Sequence, residues 1–173
     1  MGRYDGFEEF FEAQRLNLSR TALLLTGDRA AAEDLLQEAL TRTAERWPRV
    51  IARGDPTAYI KQIMLNDVRS AWRRRRRTSE HSVPSVPDDT AAVDFTTRVD
   101  AGALLLPALR KLAPRQRAVL YLRFYEDRSE AETGRLLGCS IGTVKSQTHD
   151  ALTKLRSVAP ELAPKWRESE VNE

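Results

Sequence analysis

Thr143, Lys145, Ser146, Gln147, His149 and Asp150 fall within eight residues of one another, and each carries a group able to hydrogen-bond a base edge or a phosphate. With Ile141, Val144, Ala151 and Leu152 spaced to face a core, these six share the exposed side of one amphipathic helix. Ser140 stands before them as an N-cap residue. Just upstream, Ser129 and Glu132 make the S-x-x-E capping box of a shorter helix that stops at Gly138. A short helix, the turn Gly138-Cys139-Ser140 and a second helix describe a helix-turn-helix, whose second helix would lie in the DNA major groove. The chemistry implied is recognition of DNA. Periodicity alone leaves an ordinary solvated face open as the alternative.

A second basic feature is the run Arg73 to Arg77, five consecutive arginines suited to phosphates. Charge is uneven along the chain. Residues 1–77 hold 15 basic and 11 acidic side chains, 78–100 hold 1 and 5, 101–158 hold 10 and 5, and 159–173 hold 2 and 4. Two basic blocks of +4 and +5 thus flank an acidic segment of −4. Such blocks suit a polyanion, but they are too weakly charged for tight DNA binding without a helper.

Catalysis finds no support in the residue pattern. There is no G-x-x-x-x-G-K-[ST] loop and no nucleophile, base and orienter set. One cysteine, Cys139, and two histidines, His81 and His149, give no metal-ligand spacing and no internal disulfide, so neither metal nor cofactor is expected. No apolar run approaches the roughly 20 residues of a membrane span, and Met1 to Glu12 lacks the basic-then-apolar order of a secretory signal. These features lead us to expect a cytoplasmic protein that is not an enzyme.

The elements that must position these groups are helical throughout. Phe7, Phe10, Phe11, Leu18, Ala22 and Leu25 share one face of a helix ending at Gly27. Asp28 caps the next, in which Ala32, Leu35, Leu36, Ala39, Leu40 and Thr43 keep the period up to Trp47 and Pro48. After a loop over 49–54, Asp55 and Pro56 open a long helix that runs into the arginines. Thr78 to Asp94 is rich in Ser, Pro and Asp and reads as a linker. Beyond it a helix around Leu104 to Leu112 contains Pro107, which should kink it or delay its start. Pro114 opens another helix. Gly134 is an oddity, since a mid-helix glycine costs roughly 1 kcal/mol relative to alanine. The fold class expected is all-α: two small helical domains, 1–77 and 99–158, joined by a flexible acidic linker, 78–98, and followed by a C-terminal tail, 159–173, either disordered or docked on a domain or partner.

Residues Pro114 to Leu155, PRQRAVLYLRFYEDRSEAETGRLLGCSIGTVKSQTHDALTKL, resemble region four of the extracytoplasmic-function sigma factors of RNA polymerase. AEDLLQEALTRTAERW and DPTAYIKQIMLNDVRSAWRRRRR resemble region two of the same family, in the family's order. The resemblance implies a sigma factor that binds core RNA polymerase, recognises promoter DNA and opens the −10 element. Asp34, Leu35, Gln37, Glu38 and Arg42 match the surface that grips the clamp helices of the largest catalytic subunit. The loop Arg53, Gly54 and Asp55 matches the part that captures a base flipped from the −10 element, with Asn66 near that base and Lys61, Arg69, Arg73 and Arg74 as further −10 contacts. Ser140, Thr143, Lys145, Ser146, Gln147, His149 and Asp150 would meet the −35 element. The commonest family pattern has arginine at the positions of Gln147 and Asp150, so the preferred promoter should differ here. Family members are commonly held inactive by an anti-sigma factor. A stand-alone helix-turn-helix regulator, binding DNA tightly without polymerase, is the competing reading.

Overall fold

A computed structural model describes residues 2, 4–77 and 99–162. The expected linker, 78–98, and all of the tail past 162 lie outside the described residues. Every regular element among the described residues is helical, as expected. In chain order these are α1 (Phe7–Thr26), α2 (Arg29–Glu45), α3 (Trp47–Ala52), α4 (Pro56–Arg77), α5 (Val99–Lys111), α6 (Pro114–Leu120), α7 (Glu130–Leu137) and α8 (Ile141–Val158). A π-helical turn, Tyr121–Tyr125, continues α6, and a 3-10 turn, Pro160–Leu162, follows α8.

Local chemistry accounts for most boundaries. Gly27 ends α1 at φ 68°, a left-handed conformation that glycine adopts without a Cβ penalty, and its N–H closes onto Leu23 O. Asp28 caps α2 by accepting from Ala31 N at 2.9 Å, and Asp55 caps α4 by accepting from Ala58 N at 2.9 Å. One boundary departs from expectation. The expected loop 49–54 is instead partly helical: α3 runs from Trp47 to Ala52 and takes in residues 49–52. Proline in the first turn of a helix loses no intrahelical hydrogen bond, so Pro48 begins a new helix as readily as it ends the old one. Trp47 anchors that turn: it is buried, donates from Nε1 to Asp5 O at 2.7 Å, and meets Phe7 edge-on with ring centroids 5.1 Å apart. Pro107 neither breaks α5 nor delays it; the helix runs from Val99 to Lys111 with Pro107 on its exposed side.

Two apolar clusters hold the chain together. The larger joins Leu18, Ala22 and Leu25 of α1 to Ala32 and Ala39 of α2 and to Ile60, Met64, Leu65 and Val68 of α4. Ala118, Tyr121 and Leu122, from the second half of the chain, are buried in the same cluster, and Leu136 and Leu137 pack against it. The smaller cluster gathers Ala108, Leu109, Leu112, Leu120, Ala151, Leu152, Leu155 and Ala159. The first residues of the expected tail, 159–162, pack on this smaller cluster. Ala159 is 3% exposed, its N–H bonds to Leu155 O at 2.8 Å, and the 3-10 turn after it packs on α5 and α8. Closing the smaller core stabilises these residues, where composition alone left a free end open.

Candidate nucleic-acid and polymerase interfaces

The helix-turn-helix is fixed at three points. Ser129 Oγ accepts from Glu132 N at 3.2 Å while Glu132 Oε2 accepts from Ser129 N at 2.9 Å, completing the capping box that opens α7. The Ser129 backbone N–H first, and then the Ser129 hydroxyl, hold the Glu132 carboxyl below the usual glutamate range. Gly138 ends α7 at φ 66°, and Ser140 caps α8 by accepting from Thr143 N at 3.2 Å. Gly134 explains itself at the third point. A Cβ there would lie 2.8 Å from Cys139 O, so only glycine lets the turn close onto α7.

Above this frame α8 presents its polar side. Lys145, Ser146, His149 and Asp150 are exposed, and Thr143 and Gln147 are half-buried. At spacings of three and four, Thr143, Ser146, Gln147 and Asp150 form one stripe, flanked by Lys145 and His149. Lys145 Nζ lies 3.5 Å from Glu130 on α7. The Ser140 hydroxyl is engaged by the cap and by Thr143 Oγ1 at 3.0 Å. Ile141, placed on the core side by its spacing, is instead 47% exposed; Val144, a turn further on, is the residue that reaches α7. The apolar period locates a face but not how far the partner helix extends along it.

On the N-terminal half, Asp34, Gln37 and Glu38 are exposed along α2. Leu35 is half-buried against the larger core, and Arg42 bridges Glu38 on its own helix, at 3.3 Å, to Asp67 on α4. An open acidic and amide surface is thus braced from behind by an ion-pair relay. Beside it, Phe7, Phe11, Leu36 and Leu40 line a shallow apolar groove between α1 and α2 that the sequence pattern did not reveal.

The −10 candidates divide by helix face. Arg53, Gly54 and Asp55 lie exposed at the entry to α4, where Gly54 takes φ 93°. Asn66 is exposed and accepts from Gln62 Nε2 at 3.0 Å, while Arg73 and Arg74 are exposed further along. Lys61 and Arg69 belong to another side. Lys61 Nζ pairs with Glu126 Oε1 at 2.7 Å, and Arg69 Nη2 fills the space beside Gly138, 2.7 Å from where a Cβ would stand.

Sequence reasoning missed the residues that join the two halves. Arg117 donates to Leu25 O at 3.2 Å, Leu109 O at 3.2 Å and Leu112 O at 2.7 Å, so one cation serves carbonyls at the C-terminal ends of both α1 and α5. Burial first, and then the charge of Arg75, pull its pKa down to about 10, which leaves it charged at neutral pH. Arg115 lies over the Trp72 ring at 5.9 Å, and Gln116 accepts from Ala113 N at 2.9 Å to cap α6. Three residues of the P-R-Q-R stretch thus make contacts that hold the fold.

Among the described residues no helix is long and apolar enough to cross a membrane, and no group of three or more His, Cys, Asp or Glu is placed to hold a metal ion. Set beside known proteins, the chain matches the Sigma-70 region 2 family over residues 10–78 and the Sigma-70, region 4 family over residues 108–157. Both modules together define a sigma factor, a non-catalytic transcription initiation factor that directs RNA polymerase to promoters. The RNA polymerase sigma-E factor of Streptomyces coelicolor is 39% identical over the whole chain and 98% of its own length. That of Streptomyces avermitilis is 42% identical, covering 87% of this chain and 83% of the relative. The ECF RNA polymerase sigma factor SigL of Mycobacterium tuberculosis is 34% identical over 84% of each. The chain belongs to the sigma-70 family, in its extracytoplasmic-function group. The fold is shared with the sigma factor RpoE of Bartonella quintana, solved in complex with the anti-sigma factor NepR: TM-score 0.59, 22% identity, covering 88% of this chain and 95% of that one. Matches to both modules set aside the stand-alone regulator.

Proposed function

We propose that this sigma factor meets core polymerase through the exposed face of α2, the −10 element through the entry and outer face of α4, and the −35 element through α8. The observation that carries the reading is the polar stripe of α8, held above a turn that Gly134, Gly138 and Ser140 lock against α7. On α2, Asp34, Gln37 and Glu38 are exposed, and Arg42 ties the same helix to Asp67 of α4. Reversing both charges, Asp34→Lys with Glu38→Lys, lowers affinity for core polymerase at least tenfold with the helical content unchanged; an unchanged affinity removes this surface from the interface.

At the entry to α4, exposed Arg53 and Asp55 flank the left-handed Gly54, a loop with room above its backbone for an extruded base. Asn66 lies on the same exposed helix side, with Arg73 and Arg74 toward phosphates. Residues 1–77 and 99–158 act as the two binding modules, 78–98 as their tether, and the residues past 162 as a tail. Working on chromosomal promoters places the protein in the cytoplasm, and an anti-sigma factor, such as the one that holds the Bartonella quintana relative, restrains it there.

The test is run-off transcription from a genomic promoter library with purified core polymerase, with and without this chain, followed by sequencing of the starts. New starts that share two upstream motifs are expected. Their absence, alongside tight DNA binding without polymerase, overturns the assignment of α4 and α8 to promoter elements.

A further inference from the structure

Two carboxylates open α7, and only one of them serves its cap. Glu132 completes the capping box with Ser129, whereas Glu130, the first residue of the helix, takes no part in it. Glu130 Oε2 faces Lys145 Nζ of α8 at 3.5 Å instead. The two side chains differ in freedom: Glu130 is 28% exposed on a capped helix start, and Lys145 is 64% exposed at the end of a flexible stem. The backbone under Lys145 is fixed as well, since Val144 beside it is fully buried and reaches α7 near Gly134. Glu130 is thus the anchored partner and Lys145 the one held. An acidic residue in the first turn also suits the helix dipole, and an exposed pair of this kind adds little to stability, so what it changes is where the cation stands.

We propose that Glu130 is a positioning residue for promoter recognition: it holds Lys145 for the edge of a guanine in the −35 element and keeps it off the phosphates. The inference rests on the assignment of α8 to that element made above. An ammonium group carries three N–H donors, and the carboxylate takes one side of it. A phosphate approaching the rest meets the Glu130 charge immediately behind the cation, whereas guanine offers two neutral acceptors, O6 and N7, in the major groove. Lys145 lies in the N-terminal part of α8, the part of a recognition helix that reaches base edges. Tethering also restricts the rotamers of a long stem before DNA arrives, so less freedom is lost on binding. Without Glu130 the same lysine turns to the phosphate backbone, where it adds affinity for every sequence alike.

The experiment uses holoenzyme assembled from core polymerase and the full chain, on a promoter found by run-off transcription, with each −35 base pair substituted in turn and potassium chloride varied. Lys145→Met should abolish a preference of about tenfold for one G·C pair and leave the salt slope unchanged. Glu130→Gln should weaken that same preference about threefold and steepen the slope of log affinity against log salt by about 0.9, the mark of one added phosphate contact. The double variant should match Lys145→Met alone, because the effect of Glu130 passes through that side chain. A role confined to the helix dipole moves the urea midpoint and neither of these readings. Glu130→Gln with preference and slope both intact, Lys145→Met that flattens the slope, or a double variant that keeps the steeper slope each overturns the proposal. If no −35 substitution alters binding of the unchanged holoenzyme, the assignment of α8 itself fails; a −35 preference that Lys145→Met relaxes and Glu130→Gln does not refutes the positioning role alone.

Discussion

Replacing Gly134 with alanine should weaken the protein, although the same change in a solvent-exposed helix would strengthen it. Alanine improves intrinsic helix propensity by about 1 kcal/mol. Against this, the new Cβ would stand 2.8 Å from Cys139 O, with Val144 Cγ2 at 3.7 Å and Ile141 N at 3.8 Å. The obstacle is backbone, and that stretch cannot withdraw freely because Cys139 N donates to Gly134 O at 2.9 Å. Overpacking of this kind costs about 1–3 kcal/mol, and stretching the turn's hydrogen bond adds about 1 kcal/mol. The net is a loss of about 1–3 kcal/mol, or roughly fivefold to 150-fold in the folding equilibrium. Urea unfolding followed by far-ultraviolet circular dichroism reads it directly, as a lower midpoint with an unchanged slope. Because the turn sets how α8 stands on α7, promoter-directed transcription should fall even at temperatures where the variant stays folded. A midpoint that rises, or that does not move, refutes the reasoning, since it would mean the turn absorbs a methyl group without strain.

Arg117→Met keeps the bulk of the side chain but leaves the carbonyls of Leu25, Leu109 and Leu112 without their shared cation; about 3 kcal/mol of stability should be lost, and a loss under about 1 kcal/mol in the same urea assay counts against the stapling role. Ser129→Ala removes the cap of α7 and should cost about 1 kcal/mol. Since the Glu132 pKa is depressed in the folded chain, the contribution of its cap is whole above its unfolded value of about 4.3 and is lost as pH falls through the lower, folded value; Ser129→Ala, which keeps the backbone N–H at 129, should make that acid limb of the stability profile shallower without abolishing it. Asp150→Lys exchanges an exposed anion on the side of α8 proposed to meet DNA for a cation, so promoter binding by holoenzyme should gain about 0.9 in the slope of log affinity against log salt, and an unaltered slope places Asp150 away from phosphates.

What could be read from sequence was whatever local chemistry decides. Asp28, Asp55, Ser129 and Ser140 cap their helices, and Gly27 and Gly138 end theirs, because each satisfies backbone groups within a few residues of itself. Pro48 misled because proline suits the first turn of a helix as well as the residues after one, and nothing nearby distinguishes the two; burial of Trp47 against Phe7 and Asp5, some forty residues back, makes the choice. Gly134 looked like a local defect for the same reason. Its justification is a carbonyl across a turn, a tertiary fact with no local signature.

The junction of the two halves shows where such reading must stop. Lys61 and Glu126 are separated by the whole linker and by two helices, and neither sits in a pattern that names the other. A lysine and an arginine on one long helix establish a capacity to neutralise anions. They do not establish which anion. Lys61 neutralises Glu126, 65 residues away, because the packing of the two halves brings the pair together. The features that make a helix suitable for DNA make it equally suitable for an acidic side chain of the same protein, so tertiary packing, which leaves no trace in the sequence pattern, decides which of the two a given cation meets.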